Sequence, residues 1–229
     1  MKIEILRDAE AVARQAASLV AADARAAFSE RGCFGFAVSG GTTPWEMLRA
    51  LREEEVPWDG VHVFQVDERA APAGDLDRNL THLRKSLLGI PLADDQLHAM
   101  PVEEADLEDA AVRYVREIEE VAGSPLVLDL VHLGLGADGH TASLVPGDPV
   151  LELANADVAI TAKPYQGRRR MTLTYPVLAR ARRILWIVTG DSKLEMLVRL
   201  REGDTSIPAG RVRRDRAVVM ADRAATGSS

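Results

Sequence analysis

Leu126-Val127-Leu128-Asp129-Leu130-Val131-His132-Leu133 runs without a break into Gly134-Leu135-Gly136-Ala137-Asp138-Gly139-His140-Thr141-Ala142-Ser143-Leu144-Val145-Pro146-Gly147. The first eight residues are apolar at all but two positions and read as a strand. Three glycines then permit tight turns and close approach of a ligand to the backbone, which a side chain would block. Asp138 and His140 are thereby left projecting where the strand stops. Of the five histidines (62, 82, 98, 132 and 140), only His140 stands in such a turn. An imidazole, which titrates near neutrality, is the default general base.

Outward from this stretch, strand and helix patterns alternate. Strand readings fall at residues 34–38, 61–66, 126–133, 158–160, 184–188 and 217–220, and helical spacing of apolar residues at 8–29, 44–54, 79–88, 107–121 and 191–201. The expected fold is therefore α/β, a mainly parallel sheet flanked by helices, with ligands bound beyond the carboxyl ends of the strands. One domain over residues 1–229 is expected, because taking the Pro/Gly/Asp-rich segment 71–77 as a linker leaves too short a first half. That segment reads as an active-site loop, and the small polar tail 225–229 is expected to fray.

The strand at 34–38 leads into Ser39-Gly40-Gly41-Thr42-Thr43-Pro44 and then a helical pattern. Proline suits the first turn of a helix, so the residues before it lie where unpaired backbone N–H groups point outward and the helix dipole favours an anion. Two glycines and three hydroxyls exceed what a simple cap needs, so Ser39, Gly40, Gly41, Thr42 and Thr43 are candidate phosphate ligands. A rival exists, since Ala37-Val38-Ser39-Gly40-Gly41 is one substitution from the Gly-x-Ser-x-Gly nucleophile elbow. That elbow requires a late histidine, and none follows position 140.

The strand at 61–66 ends in Asp67-Glu68-Arg69, where Asp67 suits orienting a base or hydroxyl and Arg69 suits an anion. Asn79 suits either a sugar hydroxyl or a helix cap. Arg170, closing the run Arg168-Arg169-Arg170, and Lys193 are further cations beside short apolar segments. Lys193 stands out because the only other lysines are Lys2, Lys85 and Lys163.

Composition narrows the classes. A net charge of −7 argues against a nucleic-acid surface, so any anionic ligand must be met locally. No apolar run approaches the ~20 residues of a membrane-spanning helix, and Met1-Lys2-Ile3-Glu4-Ile5 lacks the order of a secretory signal, so a cytoplasmic location is expected. Cys33 is the single cysteine, which excludes an internal disulfide and a thiolate zinc cluster and fits packing beside Phe34. His132, Asp138 and His140 come nearest to a metal-ligand set, but none has the helix-borne spacing of the known zinc motifs. Neither a metal nor a cofactor is expected.

Taken together these motifs resemble the 6-phosphogluconolactonase family over nearly the whole chain. The matching pieces are residues 39–44, Asp67-Glu68-Arg69 with Asn79, residues 133–147, residues 170–174, Gly190 with Lys193, and Ile207-Pro208-Ala209-Gly210-Arg211-Val212. Two departures are Val145, where an aromatic is usual, and Arg78, where serine is frequent. The resemblance implies a fold like that of glucosamine-6-phosphate deaminases and ribose-5-phosphate isomerases. It also implies hydrolysis of 6-phospho-D-glucono-1,5-lactone to 6-phosphogluconate in the oxidative pentose phosphate pathway, without a cofactor. In that reading His140 is the base on water, oriented by Asp138 or Asp67, and Gly139 belongs to the site. The turn at 39–43 with Asn79 and some of Arg69, Arg170 and Lys193 would hold the sugar phosphate. The alternatives are a deaminase or isomerase and a non-catalytic sugar-phosphate sensor. Deaminases continue beyond the shared turn into an Ala-Phe-Asn-Glu-Pro type segment, unlike Thr141-Ala142-Ser143-Leu144 here, and a sensor is expected to carry an appended domain. The chain is expected as a monomer or homodimer.

Overall fold

The computed structural model describes residues 1–228. In chain order the elements are β1 (Lys2–Leu6), α1 (Ala9–Arg31), β2 (Phe34–Val38), α2 (Thr42–Ala50), β3 (Val61–Gln65), β4 (Asp67–Arg69), α3 (Asn79–Leu87), β5 (Leu97–His98) and α4 (Leu107–Ala122). There follow β6 (Leu130–Leu133), β7 (Val158–Ile160), β8 (Arg170–Leu173), α5 (Tyr175–Arg180), β9 (Arg183–Val188), α6 (Leu194–Glu202), β10 (Ala217–Asp222) and α7 (Arg223–Thr226). Seven strands form a sheet in the order β1-β10-β9-β6-β2-β3-β5. Every pairing in it is parallel. The expected α/β fold with helices on a parallel sheet is what the chain adopts.

β2 and β6 are adjacent, yet the chain leaves β2 toward β3 on one side and leaves β6 toward β9 on the other. Loops leaving two such strands diverge and open a crevice at their carboxyl ends, where ligands bind in sheets of this kind. One apolar cluster packs α1 and α2 (Val20, Ala24, Met47, Leu48) against Phe36, Leu130 and Leu185. The other packs Tyr114 and Ile118 of α4 and Leu197 of α6 against Val131, Leu133 and Trp186. Burial on both faces explains the unbroken apolar runs of β2 and β9.

α1 begins where the Asp8 carboxylate accepts the Ala11 N–H at 2.8 Å, and ends at Gly32 with φ of 73°. Alanines at helical spacing, among them Ala13, Ala17, Ala24 and Ala27, form its buried stripe and let it lie close to the sheet.

Several boundaries differ from the sequence reading. The expected strand at 126–133 is extended and paired only at Leu130–Leu133, although Leu126 and Leu128 are fully buried. β1 is an additional edge strand, whose Lys2 and Glu4 interrupt the apolar signal. A second sheet of three antiparallel strands, β4-β8-β7, stands apart from the parallel one. Residues 191–193 form a tight 3-10 turn ahead of α6. The tail is more ordered than expected, since Ala225 is fully buried in α7 and the Asp222 carboxylate accepts its N–H at 2.8 Å. Ser229 of that tail lies outside the described residues.

Candidate active site

A cleft of about 650 Å3 opens where β2, β6 and β9 end, and β4 and β8 of the smaller sheet contribute to its lining. Ser39, Gly40, Gly41 and Thr42 from the turn after β2, Asp67 and Arg69 from β4, Asn79, His140, Arg170 and Lys193 all line it. Thr43, Asp138 and Gly139 are not among its lining residues. The Thr43 hydroxyl is engaged with that of Thr189 at 2.8 Å. Gly139 packs against Ile207, and its carbonyl accepts the Ala209 N–H at 2.9 Å.

His140 Nδ1 lies 2.5 Å from Asp138 Oδ1, which also accepts the His140 backbone N–H at 3.1 Å. A carboxylate can only accept, so Nδ1 carries the proton and Nε2 is left as the basic nitrogen. A Cβ at position 136 would stand 2.1 Å from His140 Nδ1, so only glycine there admits the ring. Partial burial works to raise the Asp138 pKa, but hydrogen bonds from His140 and Tyr165 outweigh it and hold the carboxyl below its usual range. Asp67 is engaged elsewhere. Its Oδ2 accepts the Ser143 hydroxyl at 2.7 Å, its Oδ1 faces Asn79 Nδ2 at 3.4 Å, and Arg170 Nη1 approaches to 4.0 Å. Of the two aspartates, Asp138 is the one in contact with the imidazole.

Tyr165 escaped the sequence reading. Its hydroxyl donates to Asp138 Oδ2 at 3.1 Å, and its ring meets His140 edge-on with centroids 5.3 Å apart. Burial, followed by the hydrogen bond to Asp138 and then its charge, pushes the phenol pKa up, so the hydroxyl keeps its proton and serves as donor. Tyr165 reaches this position through a hairpin closed by its bridge to Arg168, with Gln166 and Gly167 at φ of 53° and 81°. Such a pair of left-handed residues is the mark of a two-residue hairpin turn. The Arg170 guanidinium lies 4.9 Å over the Tyr165 ring.

The turn at 39–43 does not turn all its donors outward as expected. The Ser39 N–H is directed inward to Nδ1 of the fully buried His132 at 3.2 Å, whereas those of Gly40 and Gly41 meet no acceptor among the described residues. A Cβ on Gly40 would stand 2.1 Å from Asn79 Oδ1, so glycine is required for the turn to pass Asn79. Asn79 is fixed in turn by donating Nδ2 to the Asp67 carbonyl at 2.9 Å. Glu68, fully buried and also unassigned from sequence, accepts the Asn79 and Leu80 N–H groups at 2.8 Å each, capping α3 from β4. Arg78 lies beneath, 3.1 Å from Glu68, and donates to the Ala71 carbonyl at 2.9 Å.

Five cations (Arg49, Arg69, Arg168, Arg170 and Lys193) line the cleft against two acids, Asp67 and Asp77. Arg168 is tied to Asp75 at 2.9 Å and to Asp77 at 3.3 Å, which draws the loop 71–77 over the opening. Arg69 contacts Asn79 Oδ1 and the Asp77 carbonyl. Arg49 and Lys193 make no ion pair among the described residues. No group of three or more metal-ligating side chains converges among the described residues, and no helix there is long and apolar enough to cross a membrane.

The profile of the family described as glucosamine-6-phosphate isomerases/6-phosphogluconolactonase matches residues 7–220. A 6-phosphogluconolactonase from Synechocystis is 35% identical over 201 residues, spanning 86% of this chain and 83% of that protein. The chain belongs to the 6-phosphogluconolactonase family. The lactonase structure from Thermotoga maritima superposes with a TM-score of 0.84 at 25% identity, covering 96% of this chain and 98% of the other. A monomeric glucosamine-6-phosphate deaminase superposes as well, with a TM-score of 0.85 at 18% identity and full coverage of both chains. The scaffold is thus common to a lactonase and a deaminase, and the fold by itself does not choose between their reactions.

Proposed function

We propose that this chain hydrolyses 6-phospho-D-glucono-1,5-lactone to 6-phosphogluconate, with His140 as general base on water. The observation that carries the reading is the His140–Asp138 contact, which leaves Nε2 unprotonated at the edge of a cation-lined cleft. Nε2 takes a proton as the water oxygen bonds to the lactone carbonyl carbon, and the carbonyl electrons move onto oxygen. The oxyanion then collapses, the bond from that carbon to the ring oxygen breaks, and the imidazolium returns the proton to the ring oxygen. Atoms and charge balance with no further reactant. A positioned general base supplies ~10²–10⁴-fold, and fixing the carbonyl beside its water adds more.

The substrate's phosphate fits the turn at 40–42, where the N–H groups of Gly40 and Gly41 sit at the start of the nine-residue α2, with Lys193 and Arg170 among the lining cations. Holding the phosphate at one end fixes the carbonyl at the other, so binding energy is converted into rate. The single unpaired Cys33 fits a reducing compartment, and we place the enzyme in the cytoplasm.

The test is a pair of assays on the purified chain: acid release from the phosphorylated lactone, corrected for spontaneous opening, and ammonia release from glucosamine 6-phosphate. The reading requires lactone hydrolysis that His140→Ala slows by about a hundredfold or more, and no ammonia release. Ammonia release would make the chain a deaminase. Phosphosugar binding with neither activity would make it a sensor.

A further inference from the structure

His132 lies inside an otherwise apolar strand, fully buried, and the mechanism above does not use it. It falls two residues beyond Leu130, which packs into the cluster holding Val38, Met47 and Leu48, so by strand alternation it faces the same side, beneath α2. The β2–β6 ladder pairs Phe36 with Leu130 and Ala37 with Val131. Beyond that pairing, the Ser39 N–H goes to the imidazole instead of to a neighbouring strand.

Nδ1 accepts, so Nε2 carries the ring proton, and that buried N–H has no partner among the described residues. Desolvation drives the imidazole pKa down to about 3, so the ring is neutral throughout the working range and acts neither as base nor as cation. An unpartnered buried donor is costly, and a leucine here would match the rest of the strand without that cost. What the imidazole contributes is an acceptor under Ser39. That acceptor fixes the first N–H of the turn inward, and the N–H groups of the next two residues, Gly40 and Gly41, which line the cleft, are left without an acceptor among the described residues.

We infer that His132 is a positioning residue for anion binding: its buried Nδ1 sets the orientation of the turn at 39–42 and so the affinity for the phosphate end of the substrate. The inference rests on the assignment of that turn to the phosphate. It differs from a plain packing role in being specific to one acceptor atom and to one end of the substrate.

The test compares wild type, His132→Leu, His132→Asn and His132→Gln on 6-phosphogluconolactone and on unphosphorylated glucono-1,5-lactone. Asparagine places an amide oxygen close to the Nδ1 position, while glutamine places its own farther out. For the leucine variant, KM for the phosphorylated lactone should rise roughly 5- to 150-fold, the range for stranding one buried N–H, with kcat within about threefold. KM for the unphosphorylated lactone should not move, and asparagine should restore the wild-type value better than glutamine. Equal losses on both lactones would overturn the inference, as would a changed melting temperature with unchanged KM, or no difference between asparagine and glutamine. Should the leucine variant not fold, the comparison of the two amides carries the test alone. If wild type itself shows no preference for the phosphorylated lactone, the phosphate assignment fails, and this inference with it.

Discussion

Replacing Ser39 by alanine separates two kinds of hydrolase. Ser39 is 4% exposed, lines the cleft, and its Oγ has no hydrogen-bond partner among the described residues. The imidazole bonded to this residue, His132, accepts the Ser39 backbone N–H at 3.2 Å, and burial leaves it with a pKa of about 3. A serine nucleophile needs a base within reach of its hydroxyl, and a ring already engaged and so weakly basic cannot serve. The hydroxyl, itself buried, is therefore left without a partner in the described residues, and an anion seated against the turn would supply one. Deleting the hydroxyl removes one hydrogen bond to a charged group, worth about 1.5–3 kcal/mol, or roughly 10- to 150-fold in affinity. Steady-state kinetics on the alanine variant should show that loss in KM, with kcat little changed and a smaller effect on an unphosphorylated lactone. Folding stability should barely respond, because no partner in the chain is stranded. Loss of kcat by several orders of magnitude, together with labelling of wild-type Ser39 by a phosphonylating reagent, would refute the argument and install a serine esterase mechanism.

His140→Ala should lower kcat by about 10²–10⁴-fold with the fold intact, and near-normal turnover would remove His140 from the mechanism. Tyr165→Phe deletes the donor on Asp138 Oδ2, so kcat should fall up to about tenfold with KM unchanged. The carboxylate's charge then falls more fully on the imidazole, and the acidic limb of the kcat/KM profile should move to higher pH; an unmoved limb would make Tyr165 merely structural. The buried His132 also sets a stability window. The unfolded chain binds a proton there near pH 6.5 and the folded one only near about 3, so stability is full above 6.5 and is lost as pH falls toward 3. At pH 5 the loss is about 2 kcal/mol, so urea unfolding should show His132→Leu gaining that much on wild type between pH 7.5 and 5. A pH-independent gap would contradict it.

The parts of this molecule legible in the sequence are those in which a few consecutive residues carry their own context. Asp138 and His140 lie two apart in one turn, so their meeting needs only local geometry, and the glycines around them declare it. The buried strands announce themselves as apolar runs, and their alternation with helices gives the parallel sheet. What stayed hidden depends on partners far away in the chain. Asp67 looks as suited to orient a base as Asp138 does, until Ser143, 76 residues on, claims one of its oxygens. β4 reads as charge, Asp-Glu-Arg, because its three residues are held by pairing with β8 and not by an apolar face. Tyr165 appears as one aromatic in a polar loop, and the glycine at 167 was the only available hint that the loop is a hairpin.

Charge was the least legible property of all. A chain with net charge −7 and a run of three arginines at 168–170 has no evident anion site by summation. Folding divides that run: Arg168 binds Asp75 and Asp77, Arg169 binds Glu108 at the surface, and only Arg170 is buried, against Asp67 and Tyr165. Three neighbours in sequence thus hold a loop over the cleft, pair with a surface helix, and line the cleft floor. Meanwhile Arg49 and Lys193, 144 residues apart, arrive in the same cleft from α2 and the turn after β9. Net charge bears on long-range encounter, where it excludes polyanions. A small dianion is recognised within a few ångströms, and there the sign is set by which side chains the sheet's diverging loops bring together.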